Sequence, residues 1–493
     1  MAEFLTNLDS FLWGTPYLVF LLAAGIYFTV RSGFFQIGHF GHMMKHTLFA
    51  LNGETKTKSK GKLSAFEAIC VALGSSAGSG NIAGVASAIG IGGPGAIFWL
   101  WVWAILGMML KCVEITLGCY YRSKDEKGNY YGGATYFMEK GIKRDMGLKF
   151  GGVLAVAFAI GFLLQFLGGS QAYNLSEILE QSFGVNRIVF TVIYSILIWY
   201  LIWTGTKRVA NFATKVVPVL TIAYILGGIG IMVLNWQAIP GVIAMIFHDA
   251  FTGTAAIGGF AGVAVSMAIK TGIARSLSTN GAGGGASPFV HCSADTVHPM
   301  RQGLFGGFEV FMDTIVVCTI SAMICLCTGA WETGEVGATL AVHAFEMGYG
   351  DFGRYFMGIM SILFAITTTS GWFTFYVSTI HYIFRNRPKL RDRLEWIFKL
   401  VYPIPNIVIV SAIVLSGADA SLFWTIVNLV LVVPTFTNVL GVLILHNKFF
   451  TIMKDYMARY LGKGKVDPNF HVFYEDDPKV AAEEEAIRAK YVK

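Results

Sequence analysis

The residues best equipped for chemistry in this chain are glycines, serines and amides embedded in apolar sequence. Gly74-Ser75-Ser76-Ala77-Gly78-Ser79-Gly80-Asn81 sets three glycines and three serines within seven residues, and Gly258-Gly259-Phe260-Ala261-Gly262 repeats the theme later. Each glycine costs a helix about 1 kcal/mol relative to alanine, so both stretches favour a local break. A break frees backbone groups: opened N–H groups at a half-helix start can hold an anion such as a carboxylate, and opened carbonyls can hold a cation. Two pairs of ionisable residues also lie in apolar sequence. Lys111 and Glu114, three apart, most simply pair with each other. Glu309 and Asp313, four apart on one face, read as structural pairing partners, with proton coupling as the alternative.

Three other patterns fail for want of context. Gly74-Ser75-Ser76-Ala77-Gly78 matches a nucleophile elbow, which needs a strand–turn–helix setting absent here. Gly281-Ala282-Gly283-Gly284-Gly285-Ala286 matches a dinucleotide fingerprint, yet no strand precedes it. His291, Cys292, Asp295 and His298 are capable of holding zinc, but they read as polar residues of a cytoplasmic loop. No converging catalytic set is found, so the chain does not read as an enzyme.

The elements that position these residues follow from composition. Of 493 residues 55% are hydrophobic and only 14% charged, too apolar for soluble cores to bury. The apolar residues come in blocks of about 20, the length of a membrane-crossing helix. About eleven spans are predicted: Leu12–Val30, Ala65–Gly90, Pro94–Tyr121, Val153–Leu179, Ile188–Gly205, Ala213–Leu234, Ala255–Arg275, Gly303–Cys327, Tyr355–Phe384, Leu400–Ser416 and Leu422–His446. With these spans, all but three of the 37 Lys and Arg (Lys111, Arg187 and Arg354) fall to one side. That asymmetry places the N-terminus outside and the C-terminus in the cytoplasm. The net charge of +7 is therefore topological and does not indicate nucleic acid. The seven cysteines lie mostly in apolar blocks and suggest no disulfide framework. The start has no basic region of a cleavable signal, and the tail reads as solvated, with Lys479–Lys493 a candidate amphipathic helix.

Setting the first span aside leaves ten, and the glycine-rich spans stand first and sixth. Five spans reverse the topology, so the two halves are inverted repeats with a broken helix at matching positions. That arrangement points to a transporter with a midplane site. A channel would show a pore repeat or charged rings.

The stretch Gly78-Ser79-Gly80-Asn81-Ile82-Ala83-Gly84-Val85-Ala86, followed by Gly92-Gly93-Pro94-Gly95-Ala96-Ile97-Phe98-Trp99, resembles the signature of the alanine or glycine:cation symporter family. The likeness continues through Gly258–Gly262, Gly272-Ile273-Ala274-Arg275, His298-Pro299-Met300-Arg301-Gln302-Gly303 and Asp313-Thr314, and ends with Thr367-Thr368 near Gly371-Trp372. The resemblance implies an all-α polytopic membrane protein of the LeuT-type fold, a five-plus-five inverted repeat preceded by one extra helix. Two departures stand out. The family usually reads Asn-Glu-Ala-Gly where this chain has Asn280-Gly281-Ala282-Gly283, and Thr-Val-Gly-Thr-Gly-Asn where it has Ser76-Ala77-Gly78-Ser79-Gly80-Asn81.

The resemblance also implies roles. The substrate carboxylate would meet backbone N–H groups of Ser76, Gly78 and Gly80, with Ser79 and Asn81 beside them. The amino group would meet carbonyls near Phe260. Gln171 and Asn174 would form a polar cluster, and Trp372 and Phe260 would wall the pocket. A co-transported sodium ion would sit between carbonyls of Gly74 and Ala77 and hydroxyls of Thr367 and Thr368. The expected organisation is an extra helix and basic loop over 1–64, a first repeat over 65–234, a second over 235–446 and a charged cytoplasmic tail over 447–493. The implied function is sodium-driven uptake of small neutral amino acids, alanine or glycine foremost, across a cell inner membrane. Its partners are that amino acid and membrane lipid, with no nucleic acid and no obligate protein partner. The alternatives are a proton-coupled transporter and a substrate sensor of transporter descent.

Overall fold

The apolar blocks become helices in the computed structural model, which describes residues 2–48, 63–124, 130–168, 170–252, 261–417 and 421–491. Among the described residues, eight helical stretches are long and apolar enough to cross a membrane, and a ninth is a pair bent by 50°. The first span contains helix α1 (Thr15–Arg31). The bent pair is α2 (Ala65–Ser76) followed by a π-helical turn, Gly80–Gly84, and α3 (Val85–Gly92). Ser64 starts α2 with a capping box: its hydroxyl accepts the Glu67 N–H at 3.1 Å and its own N–H donates to the Glu67 carboxylate at 2.7 Å.

The next spans are α4 (Ala96–Tyr120), α5 (Phe150–Leu164) running on to α6 (Ser170–Phe183), α7 (Arg187–Ile202) and α8 (Thr206–Leu234). Helix α9 (Ala261–Asn280) ends in a glycine-rich interruption, after which α10 (Pro288–His291) resumes. Then come α11 (Pro299–Val310), a π-helical segment Phe311–Cys318 and α12 (Thr319–Cys327). Helix α13 (Gly337–Tyr349) packs across α3 and leads into α14 (Asp351–Ile383). Two further spans, ending in α15 (Ile404–Ser416) and α16 (Ser421–Ile444), precede α17 (His446–Leu461).

Helix α4 is the axis of the bundle, packed along α11 on one side and α9 on the other. Helices α2, α6 and α8 gather around α14. The outer faces carry exposed apolar residues such as Val153, Ile160, Val219, Leu226 and Val233. A surface of that kind is solvated by lipid tails.

Two expectations change. The seventh span, expected over Ala255–Arg275, runs further than expected, since α9 is continuous from Ala261 through Asn280; the break expected at Gly258–Gly262 falls at and before the start of that helix. Gly258, Gly259 and Phe260 lie outside the described residues. The interruption visible in the structure comes later, at Gly281–Ser287, so Lys270 and Arg275 belong to α9 ahead of the break and not to a cytoplasmic loop. The tail is also more than a solvated strand. Lys140 meets Glu475 at 3.0 Å, Arg144 meets Glu484 at 2.5 Å, and the helix Pro478–Tyr491 follows. Burial beside Arg385 and Arg144 leaves Glu139, which shares this loop, with a lowered pKa: the two guanidinium groups outweigh the opposing loss of water.

Candidate functional site

The first break opens because Ala77 leaves the helix for an extended conformation (φ −71°, ψ 95°). Three carbonyls at this break are met by side chains of α14. Thr368 Oγ1 donates to Gly74 O at 3.0 Å and Ala77 O at 3.2 Å, and Trp372 Nε1 donates to Ser75 O at 3.1 Å. The helices approach so closely that a Cβ on Gly78 would stand 2.6 Å from Thr368 Oγ1 and 3.1 Å from Gln171 Oε1, which excludes any side chain there. Ser79 Oγ donates to Gln171 Oε1 at 2.6 Å. Asn81 closes the turn by accepting the Gly78 N–H at 3.0 Å, and its amide donates to Asp313 Oδ1 at 2.7 Å. Both Asn81 and Asp313 lie in π-helical segments, a distortion common at functional positions of helices.

The second break is made by Gly281, Gly283 and Gly285, with φ of 62°, 93° and 70°, the left-handed region that favours glycine. Its freed groups are also satisfied by side chains. Gly283 N–H donates to Glu114 Oε1 at 2.6 Å, and Asn438 Nδ2 donates to Gly283 O at 2.8 Å and to Glu114 Oε1 at 2.9 Å. Irregular backbone at membrane depth persists only where protein meets its polar groups in this way. The stretch with a dinucleotide-like pattern is thus a glycine-rich interruption between α9 and α10.

Glu309 of α11 joins the two breaks. Its Oε1 accepts from Ser76 Oγ at 2.6 Å and from Ser287 Oγ at 2.9 Å, and lies 3.1 Å from Lys111 Nζ. The expected Lys111–Glu114 pair is therefore not the one formed. Glu114, three residues along α4, turns to the second break, and Lys111 turns to Glu309 and to Asn280 O at 2.5 Å. Glu309 and Asp313 do not share hydrogen-bond partners either; the helix unwinds into its wider π segment between them.

The positions singled out in the sequence divide accordingly. Gly74, Ala77 and Thr368 converge. The Thr367 hydroxyl donates to Leu363 O and Phe364 O of its own helix, while a Cβ on Gly74 would lie 3.9 Å from it. Ser76, Gly78, Ser79, Gly80, Asn81, Gln171 and Trp372 surround the first break; the Ser76 hydroxyl is taken by Glu309. Asn174, one turn beyond Gln171, has no hydrogen-bond partner among the described residues. Phe260 lies outside the described residues; Thr279 near the end of α9 stands beside the first break, its Cγ2 3.9 Å from where a Gly80 Cβ would be. His291 and His298 face Gln302 and Asp455, and the described residues contain no metal-binding group of three.

Arg275 is a further candidate that sequence reasoning did not single out. It is half-buried, has no hydrogen-bond or ion-pair partner among the described residues, and reaches within 3.8 Å of a Cβ position on Gly84. A charged residue inside a membrane span was the signal available for it.

The sodium:alanine symporter family profile matches residues 1–471. The chain is 36% identical to the sodium/alanine symporter AgcS of Methanococcus maripaludis over 378 residues, covering 75% of this chain and 81% of that one. It is 34% identical to the probable sodium/glutamine symporter GlnT of Bacillus subtilis, over 95% and 92% of the two chains. Among solved structures, a substrate-bound, outward-open Na+-coupled sialic acid symporter superposes with a TM-score of 0.53 at 15% identity, covering 92% of each chain. That likeness is one of fold.

Proposed function

The chain belongs to the sodium:alanine symporter family and is a sodium-coupled amino-acid symporter, and on that premise we propose that it takes up small neutral amino acids, alanine or glycine, through the site between its two broken helices. The observation that carries this reading is the convergence of Gly74 O, Ala77 O and the Thr368 hydroxyl at one opened turn. Sodium is a hard cation that takes oxygen ligands, and these are uncharged oxygens within a dry bundle. On binding, the ion takes over the two carbonyls that Thr368 holds, and the hydroxyl turns a lone pair toward it. Thr367, beside Gly74, completes the set by leaving its own helix carbonyls.

The substrate lies on the far side of the same turn. Its carboxylate faces Ser79 and Gly80, drawn there by Arg275, while Gln171, Trp372 and Thr279 bound the side chain. Ion and substrate thus stabilise one closed arrangement of the first break, which is what coupling requires. The protein is a multi-pass membrane protein; the reading puts it in the cell's inner membrane, N-terminus outside, with repeats over 65–234 and 235–446.

Counterflow of labelled alanine in proteoliposomes tests this. Saturable uptake that rises with an inward sodium gradient is expected. Conductance without saturation, binding without flux, or uptake driven by a proton gradient alone would each refute it.

A further inference from the structure

Lys111 lies fully buried at the centre of α4, where an unpaired ammonium is very unfavourable. Three carboxylates are near, and two are committed elsewhere: Glu114 to Gly283 and Asn438, Asp313 to Asn81 and Thr314. Glu309 is the one carboxylate paired with Lys111 among the described residues. Its position is unusual. A single oxygen, Oε1, touches Ser76 at the end of the first half-helix and Ser287 where the chain resumes after the second break. Lys111 grips the other lip of the second break through Asn280 O. The second oxygen, Oε2, has no hydrogen-bond partner and faces His291 Nε2 at 3.5 Å. His291 Nδ1 meets the Gln302 amide at 2.8 Å.

Gly281 supplies the second half of the argument. A Cβ built on it would point at Lys111, 3.6 Å from Nζ. A carboxylate carried by residue 281 would therefore meet the same ammonium from the opposite helix, and this chain has none there.

We propose that Glu309 is a positioning residue: a buried anionic staple that, with Lys111, holds the two unwound segments against each other. Neither residue touches substrate or ion. The staple sets where Ser76 stands, between the Gly74 and Ala77 carbonyls, and so sets the geometry of the opened turn. A structural core pair would be indifferent to which backbone element brings in the carboxylate's neighbours; a staple requires only that an anion reach Lys111 between the two breaks.

The test is relocation of the charge. Glu309→Gln keeps the shape and strands Lys111, so uptake of labelled alanine is expected to fall by about tenfold or more, since breaking a buried pair by removing one partner is strongly unfavourable. Adding Gly281→Glu to that variant restores a carboxylate beside Lys111 from α9, and uptake should recover by about tenfold even though the left-handed backbone there disfavours a side chain. Gly281→Glu alone, with two anions for one cation, should be impaired. Should Glu309→Gln fold poorly, Ser76→Ala with Ser287→Ala removes the staple's contacts without stranding a charge, and the sodium concentration for half-maximal uptake should then rise by about threefold or more. Wild-type uptake in Glu309→Gln, a double variant no better than the single at equal membrane abundance, or unchanged sodium dependence in the serine pair would overturn the proposal. It rests on the symporter reading, and the two fail differently: sodium-independent uptake by the wild type refutes that reading, whereas these variant outcomes refute only the staple.

Discussion

Replacing Thr368 by valine removes one oxygen from the proposed ion site and almost nothing else. The shapes match, and a match is needed, because the hydroxyl sits so close to Gly78 that no Cβ is tolerated there. In the ion-free protein that hydroxyl donates one proton shared between Gly74 O and Ala77 O. A neutral buried hydrogen bond of this kind contributes about 1 kcal/mol net, while a bond to a charged group contributes about 1.5–3 kcal/mol. Valine loses both, so sodium binding weakens by the difference, about 0.5–2 kcal/mol, centred near a tenfold rise in half-saturating sodium. By linkage, alanine affinity should fall at low sodium and largely recover at high sodium. Thr367→Val is the informative contrast. Its hydroxyl bonds only its own helix, so a comparable rise means that it rotates to join the ion, and a small one means that it does not. The assay is initial-rate uptake into proteoliposomes over a sodium titration, with protein amount measured in the vesicles. A Thr368→Val protein with wild-type sodium dependence would remove the Gly74–Ala77 turn from consideration as the ion site.

Three further outcomes are expected. Trp372→Ala deletes both the indole bond to Ser75 O and the ring stacked on Phe162, so it should weaken alanine uptake and admit larger side chains by roughly tenfold per methylene; identical kinetics for glycine, alanine, serine and leucine would clear Trp372 of the pocket. In the topology proposed, a cysteine at exposed Glu332 should react with an impermeant thiol reagent from outside and one at exposed Lys149 should not, against a low background because all seven native cysteines are buried; the reverse pattern would invert the orientation. His298, which caps α11 and donates to Asp455 beside Arg459, is pushed down to about 4 by burial, so the folded protein binds fewer protons than the unfolded chain and stability should fall as pH drops from about 6.5 toward 4. His298→Asn should flatten the thermal-unfolding midpoint across that window, and an unchanged slope would contradict the assignment.

The first break was legible in the sequence and the interruption at Gly281–Ser287 was not, for a physical reason; the other break expected, at Gly258–Gly262, falls largely outside the described residues. Six glycines and serines within seven residues leave a helix few good alternatives to opening, and that can be read without knowing any neighbour. The second break has as many glycines, Gly281, Gly283, Gly284 and Gly285, but Lys270 and Arg275 precede it, and charges at that point make a hydropathy reading end the span too early. Lys270 is exposed, and Arg275 lies along Gly84 of the first broken helix. The charge pairing was illegible for a different reason. Lys111 and Glu114 sit three apart, and local spacing favours their pairing, yet each is claimed by a segment some 170 residues further along, Lys111 by Asn280 and Glu114 by Gly283. Spacing along one helix decides a pairing only where nothing else competes. At the crossing of two opened helices, unsatisfied backbone groups compete strongly, and they take the carboxylate that the local rule would have given to the lysine.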